Sequence, residues 1–152
     1  VLTELSDNGI LIDLAHSGEK MFFSCCDNFN SCIFSHGNVY EVCANPRNIN
    51  TKQIKRLIDM DSFFGISLYN EFIGGKGNIE DLFEHIEAVL NAGGERILGF
   101  GTDLDGCSDI VAHGSGYAVF DDILEEALKR NYSTKTIENI FYRNFERVFK
   151  CN

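Results

Sequence analysis

No apolar run in this sequence approaches the ~20 residues that a membrane-spanning helix needs, so nothing is expected to cross a membrane. Positive charge is scarce: 13 Lys and Arg stand against 23 Asp and Glu, a formal net charge of -10. That balance argues against nucleic acid and against an anionic lipid surface as partners. Proline occurs once, as Pro46, inside the loop-like stretch Asn45-Pro-Arg-Asn48. Six cysteines occur, at positions 25, 26, 32, 43, 107 and 151, but no CxxC pair. Adjacent Cys25 and Cys26 are an awkward start for a disulfide framework, and 152 residues can build a core without staples. They are expected to be reduced thiols, mostly small buried apolar groups, in a cytoplasmic protein. No signal peptide, linker, low-complexity tract or repeat is visible.

What is present suits one globular domain: 44% hydrophobic and 24% charged residues. Val1 to Asn8 reads as the tail of a helix whose beginning is missing, stopped by Asn8-Gly9. Strands are expected at 10–14, 32–35, 63–68 and 97–101, each a continuous apolar run of the kind buried on both faces. Between them fall helix patterns. Glu19 to Phe29 places Met21, Phe22 and Cys25 on one face. Val39 to Cys43 is a short helical piece, Thr51 to Met60 is amphipathic with Asn50 or Thr51 as cap, and Asn78 caps Ile79 to Asn91. After a long loop from Thr102 to Tyr117 come helices from Ala118 to Lys129, from Ser133, and from Arg143 to Lys150. Four β-α units imply an α/β fold with a parallel sheet. Such a sheet is either a small doubly wound domain or half of an eight-stranded barrel.

In these folds chemistry collects where strands end. The first two strands run into His16 and His36, and the fourth into Asp103 and Asp105. Neutral imidazoles are good metal ligands, and a carboxylate beside a metal-bound water can orient it or carry its proton. A lone histidine at a sheet edge is as readily a hydrogen-bonded structural residue, and the aspartates also suit an Asx turn. Two histidines at equivalent positions of successive units favour the metal. His85, within a helix, reads as packed or solvated, and His113 as a solvated loop residue.

Four stretches together resemble the membrane (renal) dipeptidase family of the metal-dependent amidohydrolase superfamily. They are Ile12-Asp-Leu-Ala-His16, Ile33-Phe-Ser-His-Gly-Asn38, Asn45-Pro-Arg-Asn48 and Gly99-Phe-Gly-Thr-Asp-Leu-Asp-Gly106. The tail Asn131-Tyr-Ser…Asn144-Phe-Glu-Arg-Val148 is similar to that family's C-terminal helices. The resemblance implies a TIM-type (β/α)8 barrel, of which residues 1–152 would be one domain, the C-terminal half. It implies a zinc dipeptidase that cleaves the peptide bond of a dipeptide through a metal-bridging hydroxide. His16 and His36 would ligate one zinc, and Asp103 would handle the water's proton as the catalytic residue. Arg47 would pair with the substrate carboxylate, a task that suits a bidentate guanidinium. Tyr69 would line the substrate pocket.

The family's His-x-Asp pair, bridging glutamate and further N-terminal histidine have no counterpart here. The chain alone would hold at most one partial zinc site and be inactive. The other reading is an incomplete half barrel that serves only folding or assembly. Either way, strands one and four would leave bare edges and an apolar inner face, expected to pair with the missing N-terminal half or with a second copy.

Overall fold

The computed structural model describes residues 2–30, 32–113 and 116–149. Helix α1 (Leu2–Asp7) ends as the Ile10 N–H bonds the Leu5 carbonyl at 2.9 Å. Strands β1 (Ile12–Asp13), β2 (Cys32–Gly37), β3 (Phe64–Ile66) and β4 (Leu98–Phe100) lie in sequence order, and every neighbouring pair is parallel. Between β1 and β2 runs α2 (Glu19–Asn28), and between β2 and β3 runs α3 (Thr51–Asp59). α4 (Asn70–Ile73) and α5 (Ile79–Asn91) lead to β4, followed by α6 (Val119–Lys129), α7 (Thr134–Glu138) and α8 (Asn144–Phe149). The caps are those the sequence offers. Asn50 accepts from the N–H groups of Lys52 and Gln53, and Asn78 accepts from that of Asp81, each within a capping box. Ser133 accepts from the Thr136 N–H and caps α7. Among the described residues no helix is long and apolar enough to cross a membrane.

The strands alternate between two faces. Ile12, Leu14, Cys32, Phe34, Phe64, Ile66 and Leu98 enter one buried cluster with the helix residues Phe22, Leu57, Phe83 and Ile86. Phe34 stands 6.3 Å from the Phe22 ring and 5.7 Å from the Phe64 ring. The other face carries Asp13, Ser35, Phe63, Gly65, Gly99 and Gly101. Here Phe63 is covered by Phe145 and Phe149 of α8, at 6.0 and 5.7 Å.

Three expectations are corrected. The apolar residues of the outer strands are not exposed on an inner face: Ile12, Leu14 and Leu98 are 7%, 1% and 0% exposed. They turn toward the helices, and the concave positions near the strand ends are polar or glycine. The edges themselves do stay open among the described residues, since β1 pairs only with β2 and β4 only with β3. Met21 is exposed, and Cys26 takes its place beside Phe22 and Cys25, because 22, 25 and 26 form the helical stripe that meets the sheet. Val39 to Cys43 is a turn with a parallel bridge from Val39 to Ile49, not a helix. Its first two backbone donors go outside the segment, Val39 N–H to His85 Nδ1 and Tyr40 N–H to the Ile49 carbonyl, while the Val42 and Cys43 N–H groups close a single turn on the Val39 carbonyl.

The five described cysteines are unpaired thiols. Cys25, Cys26 and Cys32 are buried, and burial pushes the Cys32 thiol up to about 12. Lys150 and Cys151 lie outside the described residues, as does the expectation for the side chain of His113.

The curvature of the sheet rests on two glycines. A Cβ on Gly65 would lie 2.0 Å from the Ser35 carbonyl oxygen, and one on Gly101 would lie 1.7 Å from it. β2 and β4 are separated by β3, so they approach this closely only because no side chain stands between them. Gly101→Ala is therefore expected to lower stability by at least ~1–3 kcal/mol, the range for forcing extra atoms into a packed site. A urea unfolding midpoint unchanged from the parent chain would show that β2 and β4 are not in this contact.

Candidate metal centre

His16 and His36 leave neighbouring strands and meet tip to tip. Asp13, the last residue of β1, starts a sharp turn: its Oδ1 accepts the Ala15 N–H at 3.0 Å, and the Ser17 N–H bonds the Leu14 carbonyl. His16 then takes φ 66, a left-handed conformation that costs a non-glycine residue about 1–3 kcal/mol. The turn folds its ring back over the sheet, and its Nε2 lies 2.8 Å from Nε2 of His36. Asp103 also has a positive φ, 57, and its Oδ2 stands 3.9 Å from His36 Nε2. Gly106 makes room for that carboxylate, since a Cβ there would lie 2.1 Å from Asp103 Oδ1.

Arg47 reaches the group from the other side, and its guanidinium donates to His16 Nδ1. Its loop is held by two side-chain amides. Asn45 accepts from the Arg47 N–H and donates to the Glu71 carbonyl. Asn48, buried, accepts from the Asn38 N–H and donates to the carbonyls of Cys43 and Phe72. Asn38 in turn accepts from the Ser67 N–H, which ties the β2 exit to the β3 exit. A cavity of about 460 Å³ opens beside His16 and Arg47, lined also by Ser17, Phe34 and Gln53.

Residues 1–151 match the profile of the membrane dipeptidases, peptidase family M19. The chain belongs to that family. Among its relatives, dipeptidase aclJ of Aspergillus oryzae is 26% identical over 97% of this chain and 36% of its own length. Dipeptidase tcpJ of Claviceps purpurea is 27% identical over 99% of this chain and 36% of its own length. A metallopeptidase structure from Rhodobacter sphaeroides, liganded with a phosphinate mimic of L-Ala-D-Ala, superposes with a TM-score of 0.91 at 18% identity. It is covered over 44% of its length by 98% of this chain. The chain thus spans about a third to a half of the length of the M19 proteins it matches. Its parallel units are half of their TIM-type fold.

Of the residues singled out in the sequence, the structure brings together His16, His36, Asp103 and Arg47. Tyr69 has other partners: its ring packs on Phe72 at 5.0 Å, and a hydrogen bond to Glu71 raises the pKa of its hydroxyl. The residues that hold His36 were not singled out. Ser35 Oγ lies 2.9 Å from His36 Nδ1 and donates to Asp13 Oδ2 at 2.6 Å, while the Ser35 N–H donates to Asp13 Oδ1 at 3.0 Å. A signal for both lay in the motifs, an aspartate three residues before one histidine and a serine immediately before the other. Of the two readings for His85, packed or solvated, the structure shows the packed one. His85 is fully buried, accepts the Val39 N–H on Nδ1 at 3.0 Å and donates from Nε2 to the Ile73 carbonyl at 2.9 Å.

Two imidazole nitrogens converging on one point, with a carboxylate oxygen beside them, are donors a zinc-type ion accepts. An ion held tetrahedrally at ~2.0–2.1 Å would set its two nitrogens about 3.3–3.4 Å apart, so the rings need to open by roughly half an ångström. The set is incomplete: among the described residues no three His, Cys, Asp or Glu side chains close on one ion position.

Burial lowers the pKa of His85 below its ordinary 6.5, and burial with the nearby His36 and Arg47 lowers that of His16. A histidine depressed in the folded state is protonated first in the unfolded chain. The stability it contributes is complete above pH ~6.5 and is lost as pH falls from there toward the folded value. Wild-type stability is expected to fall as pH drops below 6.5. Removing the titrating group in His85→Gln should flatten that slope by up to ~1.4 kcal/mol per pH unit. Urea titrations at a series of pH values check this, and parallel slopes for the two proteins would contradict it.

Proposed function

We propose that this chain is the C-terminal half of a zinc-dependent dipeptidase, a single domain over residues 1–152. It supplies two histidine ligands, an acid-base carboxylate and a carboxylate-binding arginine. The observation that carries the reading is the 2.8 Å approach of the two Nε2 atoms at successive strand ends, with Arg47 and Asp103 beside them. Zinc supplies Lewis-acid polarisation of the scissile carbonyl and a nucleophile formed from water near neutral pH. His16 and His36 would hold the ion. Asp103, 3.9 Å from His36 Nε2, is placed to take a proton from the attacking water and pass it to the leaving amine. Arg47 binds the C-terminal carboxylate of a dipeptide as a two-pronged donor.

The substrate class is supported by the named relatives and by the dipeptide mimic in the Rhodobacter sphaeroides protein. The missing ligands come from the N-terminal half, joined through the open edges of β1 and β4; a second copy could cover those edges but would bring no His-x-Asp pair. Alone, the chain is inactive.

The test is zinc uptake, followed by dipeptide hydrolysis once the partner half is present. His36→Ala is expected to weaken zinc binding at least tenfold and to abolish hydrolysis while the fold persists by circular dichroism. Arg47→Met should raise KM by about 10–100-fold, the worth of a lost charge-assisted contact, with a smaller change in kcat. Zinc uptake indifferent to both histidines would sink the proposal, leaving an assembly domain without a metal role.

A further inference from the structure

We propose that Asp13 and Ser35 are positioning residues that lock His36 in the tautomer whose bare Nε2 faces the metal site. The metal consequence rests on the dipeptidase reading; the tautomer itself does not. The argument counts protons. The Asp13 carboxylate only accepts, and it takes three hydrogen bonds: the Ala15 and Ser35 N–H groups on Oδ1, both at 3.0 Å, and the Ser35 hydroxyl on Oδ2 at 2.6 Å. A serine hydroxyl has one proton, and here it is given to the carboxylate. The contact between Ser35 Oγ and His36 Nδ1 at 2.9 Å therefore needs its proton from the imidazole. Nδ1 carries the hydrogen, and the Nε2 of neutral His36 is left as a lone pair.

The far side of the site agrees independently. Nε2 of His16 sits 2.8 Å from that lone pair and must be the donor, which leaves its Nδ1 bare. A bare Nδ1 is what a guanidinium requires, and Arg47 donates there. One direction of donation thus runs unbroken from Arg47 through both histidines and Ser35 to Asp13. The same bonds join the ends of β1 and β2, so they fix the direction of the His36 ring as well as its proton.

The decisive variant is Asp13→Asn. Its carbonyl still accepts both backbone N–H groups, which keeps the strand ends joined. Its amide would offer a donor where Oδ2 accepted. Ser35 would then accept from Asn and donate to His36 Nδ1, and the imidazole proton would move to Nε2. Nitrogen-15 NMR of the histidine rings in the full, metal-free chain reads this directly. Wild type is expected to show the Nδ1–H form of His36, and D13N the Nε2–H form.

Zinc affinity, measured by chelator competition on the same samples, should fall about 10–100-fold in D13N and in S35A, and stay near wild type in S35T, which keeps the hydroxyl. Should D13N fail to fold, S35A carries the tautomer test, because it removes one hydroxyl and no backbone acceptor; the Nδ1–H form should lose its dominance. His36 remaining Nδ1–H in D13N or S35A, or found as Nε2–H in wild type, would overturn the proposal. If wild type takes up no zinc while the tautomers behave as stated, the dipeptidase reading fails and the positioning pair stands.

Discussion

Ser35 sits where β3 and the end of β4 offer no side chain, and the site depends on that vacancy. Its carbonyl lies in the space that Cβ atoms on Gly65 and Gly101 would fill. Its N–H and hydroxyl are both given to Asp13, across the pair of strands. A residue fixed on three sides can aim its successor, and the successor is His36. The glycines on β3 and just after β4 therefore act on the metal site without touching it. They let the sheet curl until the ends of β1, β2 and β4 share one mouth. Close packing makes such a contact stiff, because a backbone shift of a fraction of an ångström has nowhere to go.

A second layer of buried polar groups fixes the loop that carries Arg47. Asn38, Asn48 and His85 are all under 10% exposed, and each spends its side chain on backbone groups of chain segments far away in sequence. Polar groups buried this deeply are costly unless satisfied: Asn48 and His85 use both ends of their side chains, whereas Asn38 accepts from Ser67 but its Nδ2 has no partner among the described residues. An apolar packing of the same volume would hold the loop less exactly. The strain at His16 and Asp103, both at positive φ, is held against this rigid background.

Much of this was legible in the sequence. Apolar runs gave four parallel strands in order, and capping residues gave α3, α5 and α7. The histidine-ended strands pointed to the place where His16, His36 and Asp103 converge, because side chains at successive strand ends of a parallel sheet share one mouth. What was not legible came from tertiary partners. Val39 to Cys43 looks helical, but Val39 bridges to Ile49 and the segment closes only one turn, with His85, 46 residues away, accepting the Val39 N–H. Met21 looks as apolar as Phe22, and only the direction of the sheet decides which is covered. The apolar inner face was expected from the apolar runs of the outer strands; alternation turns Ile12, Leu14 and Leu98 toward the helices and leaves Asp13, Ser35, Gly65 and Gly101 inside near the strand ends. Asp13 and Ser35 stood inside the motifs, but only the pairing of β1 with β2 shows that the carboxylate on one strand acts through the serine on the next.

The two histidines are equivalent by position and opposite in chemistry. A metal ion takes lone pairs, and His36 already presents one, held by Ser35 and Asp13. His16 presents an N–H to the same point, because Arg47 occupies its other nitrogen. For His16 to ligate through Nε2, its proton must sit on Nδ1, where it would face the donors of Arg47. Ligation by His16 and this contact with Arg47 therefore exclude each other. In the dipeptidase proposed above, an arginine displaced from His16 would be a cation at the mouth of the site, the state in which it could take a substrate carboxylate. The same proton that separates the two rings would thus link the proposed metal ligand to the proposed carboxylate binder.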